Sequence, residues 1–295
     1  MTVTLYGWTE EVLKDQKKKR RNELDLSELK LSIVIPTLNQ AGTIEDTLLS
    51  IIKQDYQNYE IIIMDGGSND GTLNRLDNYR SYITYLVSET DKGQSNAINK
   101  GFELASGDIF AWINSDDYYL PGSFSKVVNT FRNYPNVDIV VGGGCIVNKN
   151  DRFLKHIDPM QVTRSNLLQW DNDKWIMQQS CFWTSSIWKR SLGVDEELDL
   201  LMDFDLWLRF SELGKSIMIS DTLAVMRYYP EAKTVSQKIK MREELGYVYA
   251  KNGALTQVKN VIQELVRINK DLTSIIEERD RRLLTRLLKR FGFKL

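Results

Sequence analysis

Short, β-branched apolar segments occupy residues 31–35, 60–64 and 108–113, and each ends at a polar loop. Between them, 43–54 and 94–105 carry apolar residues at helical spacing. This alternation of strands and helices predicts an α/β fold, a single domain with a mostly parallel central sheet flanked by helices. In such a sheet the carboxyl ends of the strands share one edge, so we expect the three polar loops to meet there.

The scarcity of histidine and cysteine limits the metal chemistry. The 295 residues include one histidine (His156), two cysteines, 39 Lys+Arg and 40 Asp+Glu. Cys145 and Cys181 lie too far apart for a zinc site, which needs closely spaced Cys or His pairs. Any bound metal should therefore be a hard ion held by carboxylates, Mg²⁺ or Mn²⁺. The net charge of −1 gives no overall case for nucleic-acid binding.

The charge distribution and the apolar pattern predict three parts: an N-terminal basic leader (1–30), a catalytic α/β domain (31–235) and a helical C-terminal extension (236–295) with a basic amphipathic tail.

Because the chain has no signal peptide and no apolar run near the roughly 20 residues of a membrane span, we expect it to be cytoplasmic. The seven cations and leucine stripe of 279–295 are typical of a peripheral helix on the inner face of an anionic membrane. A solvated helix, or one that packs in an oligomer, is the alternative.

Carboxylates mark the ends of two strands and the start of a helix. Asn114-Ser-Asp-Asp117 follows a strand, and adjacent carboxylates there are best tolerated when a cation neutralises them; a solvated turn is the alternative. Asp65 precedes two glycines and is suited to accept N–H donors from a base or sugar, but taken alone this motif is better explained as an ordinary turn. Asp203 and Asp205 open a helix, where either is suited to cap it or to act as a general base. We also expect Thr43 to cap its helix.

Five segments, taken together, resemble the family 2 inverting glycosyltransferases, which have the GT-A (nucleotide-diphospho-sugar transferase) fold. They occur in that family's order and spacing between residues 31 and about 234: Ile-Pro-Thr-Leu-Asn at 35–39, Ile-Met-Asp-Gly-Gly-Ser-Asn-Asp-Gly-Thr at 63–72, Asp-Lys-Gly-Gln-Ser-Asn-Ala-Ile-Asn-Lys-Gly at 91–101, Trp-Ile-Asn-Ser-Asp-Asp at 112–117 with Pro-Gly at 121–122, and Met-Asp-Phe-Asp-Leu-Trp-Leu-Arg at 202–209. Each segment alone is a weak or moderate signal, whereas the ordered set is specific.

The resemblance implies a metal-assisted transfer, with inversion, from a nucleotide-diphosphate-sugar (a UDP-sugar) to a hydroxyl of a glycan or lipid-linked acceptor. It makes Asp203 the general base and places Mn²⁺ or Mg²⁺ at Asp116, with Asp117 as a second or supporting acid. The residues implied at the nucleotide-sugar are Pro36, Thr37, Asn39, Asp65, Gly93, Asn96, Asn99, Asn114 and Ser115. Those implied on the acceptor side are Gln178, Gln179 and Asp205.

The sequence departs from the family pattern at two positions. Asn114 stands where the family has the first acid of its Asp-x-Asp motif, and Tyr229 stands where it often has a histidine that touches the metal or the diphosphate. Arg227, Tyr229 or Lys233 would then meet the diphosphate as different ligands. Two other functions stay open at this point. A nucleotidyltransferase would want a cation in the loop after the first strand, which 37–42 lacks, and a non-catalytic sugar- or nucleotide-binding module would not need Asp203.

Overall fold

The structure, a computed structural model, describes residues 29–169, 175–229 and 236–290. The basic leader expected at 1–30 lies almost entirely outside the described residues, as do Lys233 and the last five residues of the expected basic tail. The described residues up to 229 form one compact unit, and those from 236 onward form a second.

The first half of the larger unit alternates strands and helices along the chain. Its elements are β1 (Leu31–Thr37), α1 (Ile44–Ile52), β2 (Tyr59–Asp65), α2 (Thr72–Asp77), β3 (Tyr85–Ser88), α3 (Gln94–Glu103) and β4 (Ile109–Trp112). The strands are parallel and lie in the order β3-β2-β1-β4, with Thr37 opposite Asp65 at the carboxyl end of the pair β1–β2. Every residue of β1 and β2 is buried, which explains their continuous apolar runs.

The second half completes a nine-stranded sheet and introduces antiparallel pairs. Its elements are β5 (Tyr118–Tyr119), α4 (Ser123–Asn133), β6 (Ile139–Asn148), β7 (Phe153–Ile157), α5 (Arg164–Leu167), a 3₁₀ turn (Gln178–Ser180), β8 (Cys181–Thr184), α6 (Ser185–Ser191), α7 (Met202–Leu213) and β9 (Ser216–Tyr228). Strand β8 lies antiparallel between β4 and β6, and β9 runs parallel to β6 and antiparallel to β5. The α/β fold class predicted from the sequence is confirmed.

A layer of buried aromatic rings positions helix α7 over the centre of the sheet. Trp112 at the end of β4 stacks on Trp207 of α7 with ring centroids 6.3 Å apart, and both rings contact Trp183 of β8 edge to face. Each such pair contributes about 0.5–1.5 kcal/mol beyond its buried area. The first turn of α7, which carries Asp203, therefore has a fixed relation to β4 and to the loop that follows it.

One local prediction is wrong. The hydroxyl of Thr43 does not cap helix α1 but donates to the side chain of Gln40 at 2.9 Å, so the turn before the helix uses it instead.

The C-terminal unit consists of two helices, α8 (Lys238–Lys251) and α9 (Leu255–Arg290). They are joined at Gly253, whose φ of +69° is in the left-handed region that favours glycine at a helix end. Beyond residue 270, the described side chains of α9 are exposed, apolar ones such as Ile275 and Ile276 included. In the described part of the chain, no helix is both long and apolar enough to cross a membrane.

Candidate active site

The loop of residues 114–117 (the 114–117 loop) connects β4 to β5 at the carboxyl edge of the sheet. Asn114 begins it, with the side-chain oxygen accepting a hydrogen bond from Gln94 of α3 at 2.8 Å. Ser115 is buried, and the backbone N–H of Asp117 donates to the carbonyl of Asn114 at 3.1 Å. The hydroxyl of Thr47 on α1 donates to the carbonyl of Asp117 at 2.7 Å. Contacts from several elements thus fix the path of this loop.

Asp117 is the buried member of the acidic pair. One carboxylate oxygen accepts the backbone N–H of Arg227 at 2.9 Å, and the other accepts side-chain amides of Gln179 at 2.5 Å and Asn114 at 3.3 Å. Burial, and then the neighbouring charge of Asp116, raise the pKa of this carboxyl well above its usual range. Because protein donors occupy both oxygens, Asp117 does not fit the role of a direct metal ligand. Of the two roles expected for Asp117, these contacts favour the supporting acid over the metal ligand.

Asp116 is half-buried and has a different environment. Its carboxylate oxygen Oδ2 accepts a hydrogen bond from the hydroxyl of Tyr229, and its backbone carbonyl accepts one from the guanidinium of Arg227 at 3.1 Å. Burial, followed by the bond to Asp116, raises the pKa of the Tyr229 phenol. Its other oxygen, Oδ1, has no hydrogen-bond partner among the described residues.

These surroundings fit a hard divalent ion that takes a single protein carboxylate. Mg²⁺ and Mn²⁺ sites in nucleotide-binding enzymes commonly use one or two carboxylates and complete the shell with phosphate and water oxygens. In the parts of the chain that the structure describes, three or more acidic, His or Cys side chains do not converge as a metal cluster. The expected role of Asp116 as the ligand of such an ion stays a prediction.

Arg227, near the end of strand β9, is hydrogen-bonded to the 114–117 loop. Its buried guanidinium donates to Asp46 at 2.8 Å and to Asp151 at 3.0 Å in addition to the Asp116 carbonyl, and it lies 4.9 Å from the centre of the Tyr118 ring. With its donors directed to protein groups, Arg227 is a structural strut and does not fit the expected diphosphate contact. No motif in the sequence marked Asp46 or Asp151 as its partners.

The ends of β1 and β2 carry the residues predicted to bind the nucleotide. Pro36 and Thr37 are buried, and the Thr37 hydroxyl has no hydrogen-bond partner among the described residues. The next loop contains Asn39, whose φ of +53° is unusual for a residue other than glycine. The side chain of Asn39 accepts the N–H of Asn69, which ties the two strand ends together.

Asp65 is almost fully buried at the end of β2. Its oxygens accept the backbone N–H groups of Gly67 and Ser68, the hydroxyl of Ser68, and the hydroxyl of Ser88 at 2.6 Å. In this state Asp65 organises its own loop. The nucleobase of a bound nucleotide can reach this carboxylate only by replacing one of those donors. The predicted contact between Asp65 and the nucleobase stays a prediction.

Helix α3 contributes one residue that the sequence interpretation missed and two that bond to the loop before α7. Gly93, at the helix start, has a φ of +114° and its N–H donates to Asp91 at 2.8 Å, and the following Gln94 reaches Asn114. Asn99, by contrast, bonds the backbone of Val194 with both ends of its amide. Asn96 likewise donates to Glu196 at 3.0 Å. These two asparagines brace the loop before α7 in this state, and their assignment to the nucleotide pocket stays a prediction.

The 3₁₀ turn and the residue that follows it lie near both the 114–117 loop and Asp203. Asp203 is half-buried on the first turn of α7, and its charge acts on the thiol of Cys181, whose pKa burial raises well above its usual range. Two residues before Cys181, Gln179 bonds Asp117, and Gln178 donates to the carbonyl of Trp112 at 2.8 Å. The 3₁₀ turn thus connects the candidate base to the acidic loop.

The glutamines Gln178 and Gln179 are buried, and the side-chain carbonyl oxygen of each has no partner among the described residues. A buried acceptor without a donor costs about 1–3 kcal/mol, so a ligand hydroxyl that donates to it would be stabilised. Their expected acceptor role stays a prediction.

Asp205 does not fit the acceptor role. It is fully buried and forms an ion pair with Arg209, one turn along α7, with an Nη2–Oδ2 distance of 2.7 Å. Arg209 in turn donates to the carbonyls of Ser191 and Gly193, which anchors α7 to the end of α6. The prediction that Asp205 contacts the acceptor is therefore corrected to a structural role.

A half-parallel sheet with acidic and amide side chains gathered at the carboxyl ends of its strands is the arrangement of α/β enzymes that bind nucleotides at that edge. The family model described as Glycosyl transferase family 2 matches residues 32–192, more than half of the chain. The chain belongs to glycosyl transferase family 2 and is a glycosyltransferase.

Relatives in two bacteria agree with this assignment. The chain is 27% identical over 221 residues to an uncharacterized glycosyltransferase of Rickettsia typhi, a match that covers 72% of this chain and 68% of the relative. It is 29% identical over 140 residues to the UDP-Glc:alpha-D-GlcNAc-diphosphoundecaprenol beta-1,3-glucosyltransferase WfgD of Escherichia coli, over 47% of this chain and 55% of the relative. The chain thus spans between about half and two thirds of the lengths of these relatives.

Solved structures of two glycosyltransferases share the fold. S. aureus TarS 1–349 in complex with UDP-GlcNAc superposes with a TM-score of 0.60 at 20% identity, over 75% of this chain and 66% of that one. The mannosyltransferase PcManGT from Pyrobaculum calidifontis, in complex with GDP-Man and Mn²⁺, gives a TM-score of 0.58 at 18% identity, over 82% and 70%.

Proposed function

We propose that this chain transfers a sugar, with inversion, from a UDP-sugar to a hydroxyl of a glycan or lipid-linked acceptor, assisted by Mn²⁺ or Mg²⁺. The observation that carries the proposal is the half-buried carboxylate of Asp116 at the carboxyl edge of the sheet, with one oxygen bonded to Tyr229 and the other open within the described part of the chain, which also carries Asp203 on the first turn of α7. The UDP-GlcNAc complex of TarS and the name of WfgD support UDP as the nucleotide. The Mn²⁺ complex of PcManGT supports the metal.

Each carboxylate has its own task in this proposal. Asp116 would hold the ion, which when bound supplies positive charge against the diphosphate leaving group. Asp203 would remove the proton from the acceptor hydroxyl as that hydroxyl attacks the anomeric carbon from the face opposite the diphosphate. A single displacement of this kind inverts the anomeric configuration and needs no protein nucleophile.

Replacement of Asp203 tests the assignment of the base. We expect Asp203→Asn to lower turnover by about 10²–10⁴-fold, the usual contribution of a general base, while UDP binding is retained. Turnover is measured as UDP release from a UDP-sugar with an acceptor extract, and UDP affinity by calorimetry. The matched control is Asp221→Asn, which removes an exposed acid paired with Lys126 and should leave both quantities unchanged. Normal turnover by Asp203→Asn would exclude Asp203 as the base.

The C-terminal helix supports a peripheral attachment to an anionic membrane, which would suit a lipid-linked acceptor. Exposed apolar side chains, among them Val266, Leu272 and Ile275, lie along α9, and the sequence beyond residue 278 adds the seven cations. We expect the full chain to float with vesicles that contain phosphatidylglycerol and to stay behind with purely phosphatidylcholine vesicles. A chain that ends at Ile276 should lose that binding. Equal flotation of both chains would exclude the tail as the anchor.

A further inference from the structure

The two carboxylate oxygens of Asp116 have different surroundings, and the difference depends on one side chain. Oδ2 accepts the hydroxyl of Tyr229, which follows the end of β9, whereas Oδ1 has no partner among the described residues. A hydrogen bond from a phenol uses one lone pair of Oδ2, whereas the lone pairs of Oδ1 are all available. Oδ1 is therefore the oxygen that a cation meets without a competing donor.

The backbone beneath this carboxylate is fixed independently of Tyr229. The carbonyl of Asp116 accepts a bond from Arg227, and the neighbouring Asp117 is buried with donors on both oxygens. The 114–117 loop therefore keeps its path when the Tyr229 hydroxyl is absent. What that hydroxyl determines is the rotation of the Asp116 carboxylate and the number of its oxygens that a cation can bind.

We propose that Tyr229 is a positioning residue that restricts Asp116 to coordination through one oxygen and thereby favours Mn²⁺ or Mg²⁺ over Ca²⁺. This proposal rests on the metal-assisted transfer proposed above. Mg²⁺ requires a compact octahedral shell, with short bonds and few carboxylate oxygens. Ca²⁺ takes six to eight ligands at longer distances and accepts a carboxylate through both oxygens. A carboxylate with one oxygen occupied by a phenol suits the first kind of shell and not the second.

Tyr229→Phe removes the hydroxyl and keeps the ring. We expect Mn²⁺ affinity in the presence of UDP to fall by about 10-fold, the lower end of the usual effect when a group that orients a metal ligand is removed. Ca²⁺ affinity should stay the same or rise, since both oxygens of Asp116 become available. The quantity to measure is the ratio of the two affinities. Mn²⁺ binding is followed by electron paramagnetic resonance of the free ion, and Ca²⁺ binding by its competition with Mn²⁺.

Two further variants make the result specific. Tyr228→Phe removes the exposed hydroxyl of the preceding residue and should leave both affinities as in the wild type. Asp116→Asn should abolish Mn²⁺ binding; if it does not, the metal site of the proposed function is wrong. If Asp116→Asn loses Mn²⁺ while Tyr229→Phe keeps the wild-type ratio of Mn²⁺ to Ca²⁺ affinity, the role of Tyr229 is wrong and the proposed function stands. Thermal unfolding of each variant shows that it is folded.

Discussion

Two acidic loops lie at the carboxyl edge of the same sheet, but the donors that bond their carboxylates and backbone come from different distances along the chain. In the loop after β2, Asp65 accepts its hydrogen bonds from Gly67, Ser68 and Ser88, all within 23 residues. The 114–117 loop receives bonds from all over the larger unit, at separations of up to 113 residues in sequence: from Thr47, Gln94, Gln179, Arg227 and Tyr229.

The two loops therefore need different amounts of the fold to be in place before they can adopt their geometry. The loop at Asp65 can reach its geometry once β1, β2 and β3 are paired, since Asn39 after β1 also accepts the N–H of Asn69. The 114–117 loop requires α1, α3, the 3₁₀ turn and the last strand to be in place. The position of the Asp116 carboxylate therefore reports on the integrity of the whole domain, whereas the loop at Asp65 reports on its first half.

Removal of the Arg227 side chain should cause the largest loss of stability, because this side chain links the 114–117 loop to distant parts of the chain. Arg227→Ala leaves Asp46, Asp151 and the Asp116 carbonyl without their shared donor. Breaking a buried ion pair costs about 3–5 kcal/mol, and since the two acids are partly exposed we expect a loss of about 2–4 kcal/mol in the free energy of unfolding. Denaturant titration measures this loss, and Mn²⁺ binding should be lost with it.

A matched arginine provides the control for this prediction. Arg75 lies 3.8 Å from Glu45 with both side chains largely exposed, so Arg75→Ala should cost no more than about 1 kcal/mol. If both arginine variants lose the same stability, Arg227 is not the strut of the 114–117 loop.

A smaller loss of stability is expected from a change in the loop at Asp65. Ser88→Ala removes one donor to Asp65 and should cost about 0.5–1.5 kcal/mol, the usual net contribution of one hydrogen bond. Because the bond is local, the variant should weaken UDP binding without changing Mn²⁺ affinity. Calorimetry with UDP and with Mn²⁺ separately measures the two effects, and a loss of Mn²⁺ affinity would contradict the independence of the two loops.

The smallest change in stability is expected for Glu60, at the start of β2, and it appears only at acidic pH. Burial acts to raise the pKa of the Glu60 carboxyl, but hydrogen bonds from Lys30, Ser32 and Ser106 outweigh it and hold the pKa below its usual range. A carboxyl with a lowered folded-state pKa stabilises the fold above its unfolded pKa of about 4.3, and that stabilisation is lost as the pH falls through the folded-state value.

Glu60→Gln should therefore give a shallower loss of stability below about pH 4.3 than the wild type, by less than about 1.4 kcal/mol per pH unit. Urea titrations between pH 3 and pH 7 measure the two slopes, and nucleotide binding at pH 7 by the folded variant serves as the control. Parallel slopes would show that Glu60 is not responsible for the acid sensitivity.

The first half of the fold could be predicted from the sequence because each strand and helix there has its own local pattern. The strand predicted at 60–64 is Tyr59–Asp65, and the helix predicted at 94–105 is Gln94–Glu103. In the second half, β6 pairs with its neighbour β7 and also with β8 and β9, which come from distant parts of the chain. No local pattern specifies such pairings, so the antiparallel strands were not predicted.

The site divides in the same way. The family resemblance singled out Asp116, Asp117 and Asp203 by their motifs, but only the fold shows that Asp117 is buried with both oxygens bonded. Asp205 belongs to the same motif as Asp203, yet its pairing with Arg209 follows from the helix geometry. Gln94 was missed because its partner Asn114 lies on another element.

The central claim is that a UDP-sugar and a divalent ion bind together at Asp116, and a thermal-shift series on the full chain tests it most directly. UDP-GlcNAc, UDP-Glc, GDP-Man and ATP are each added with and without Mn²⁺, to the wild type and to Asp116→Asn. We predict that a UDP-sugar with Mn²⁺ raises the unfolding temperature of the wild type, since a ligand at 100 times its Kd stabilises the fold by about 2.7 kcal/mol. The part of the shift that depends on Mn²⁺ should vanish in Asp116→Asn. No shift with any UDP-sugar, or a Mn²⁺-dependent shift that survives in Asp116→Asn, would contradict the claim.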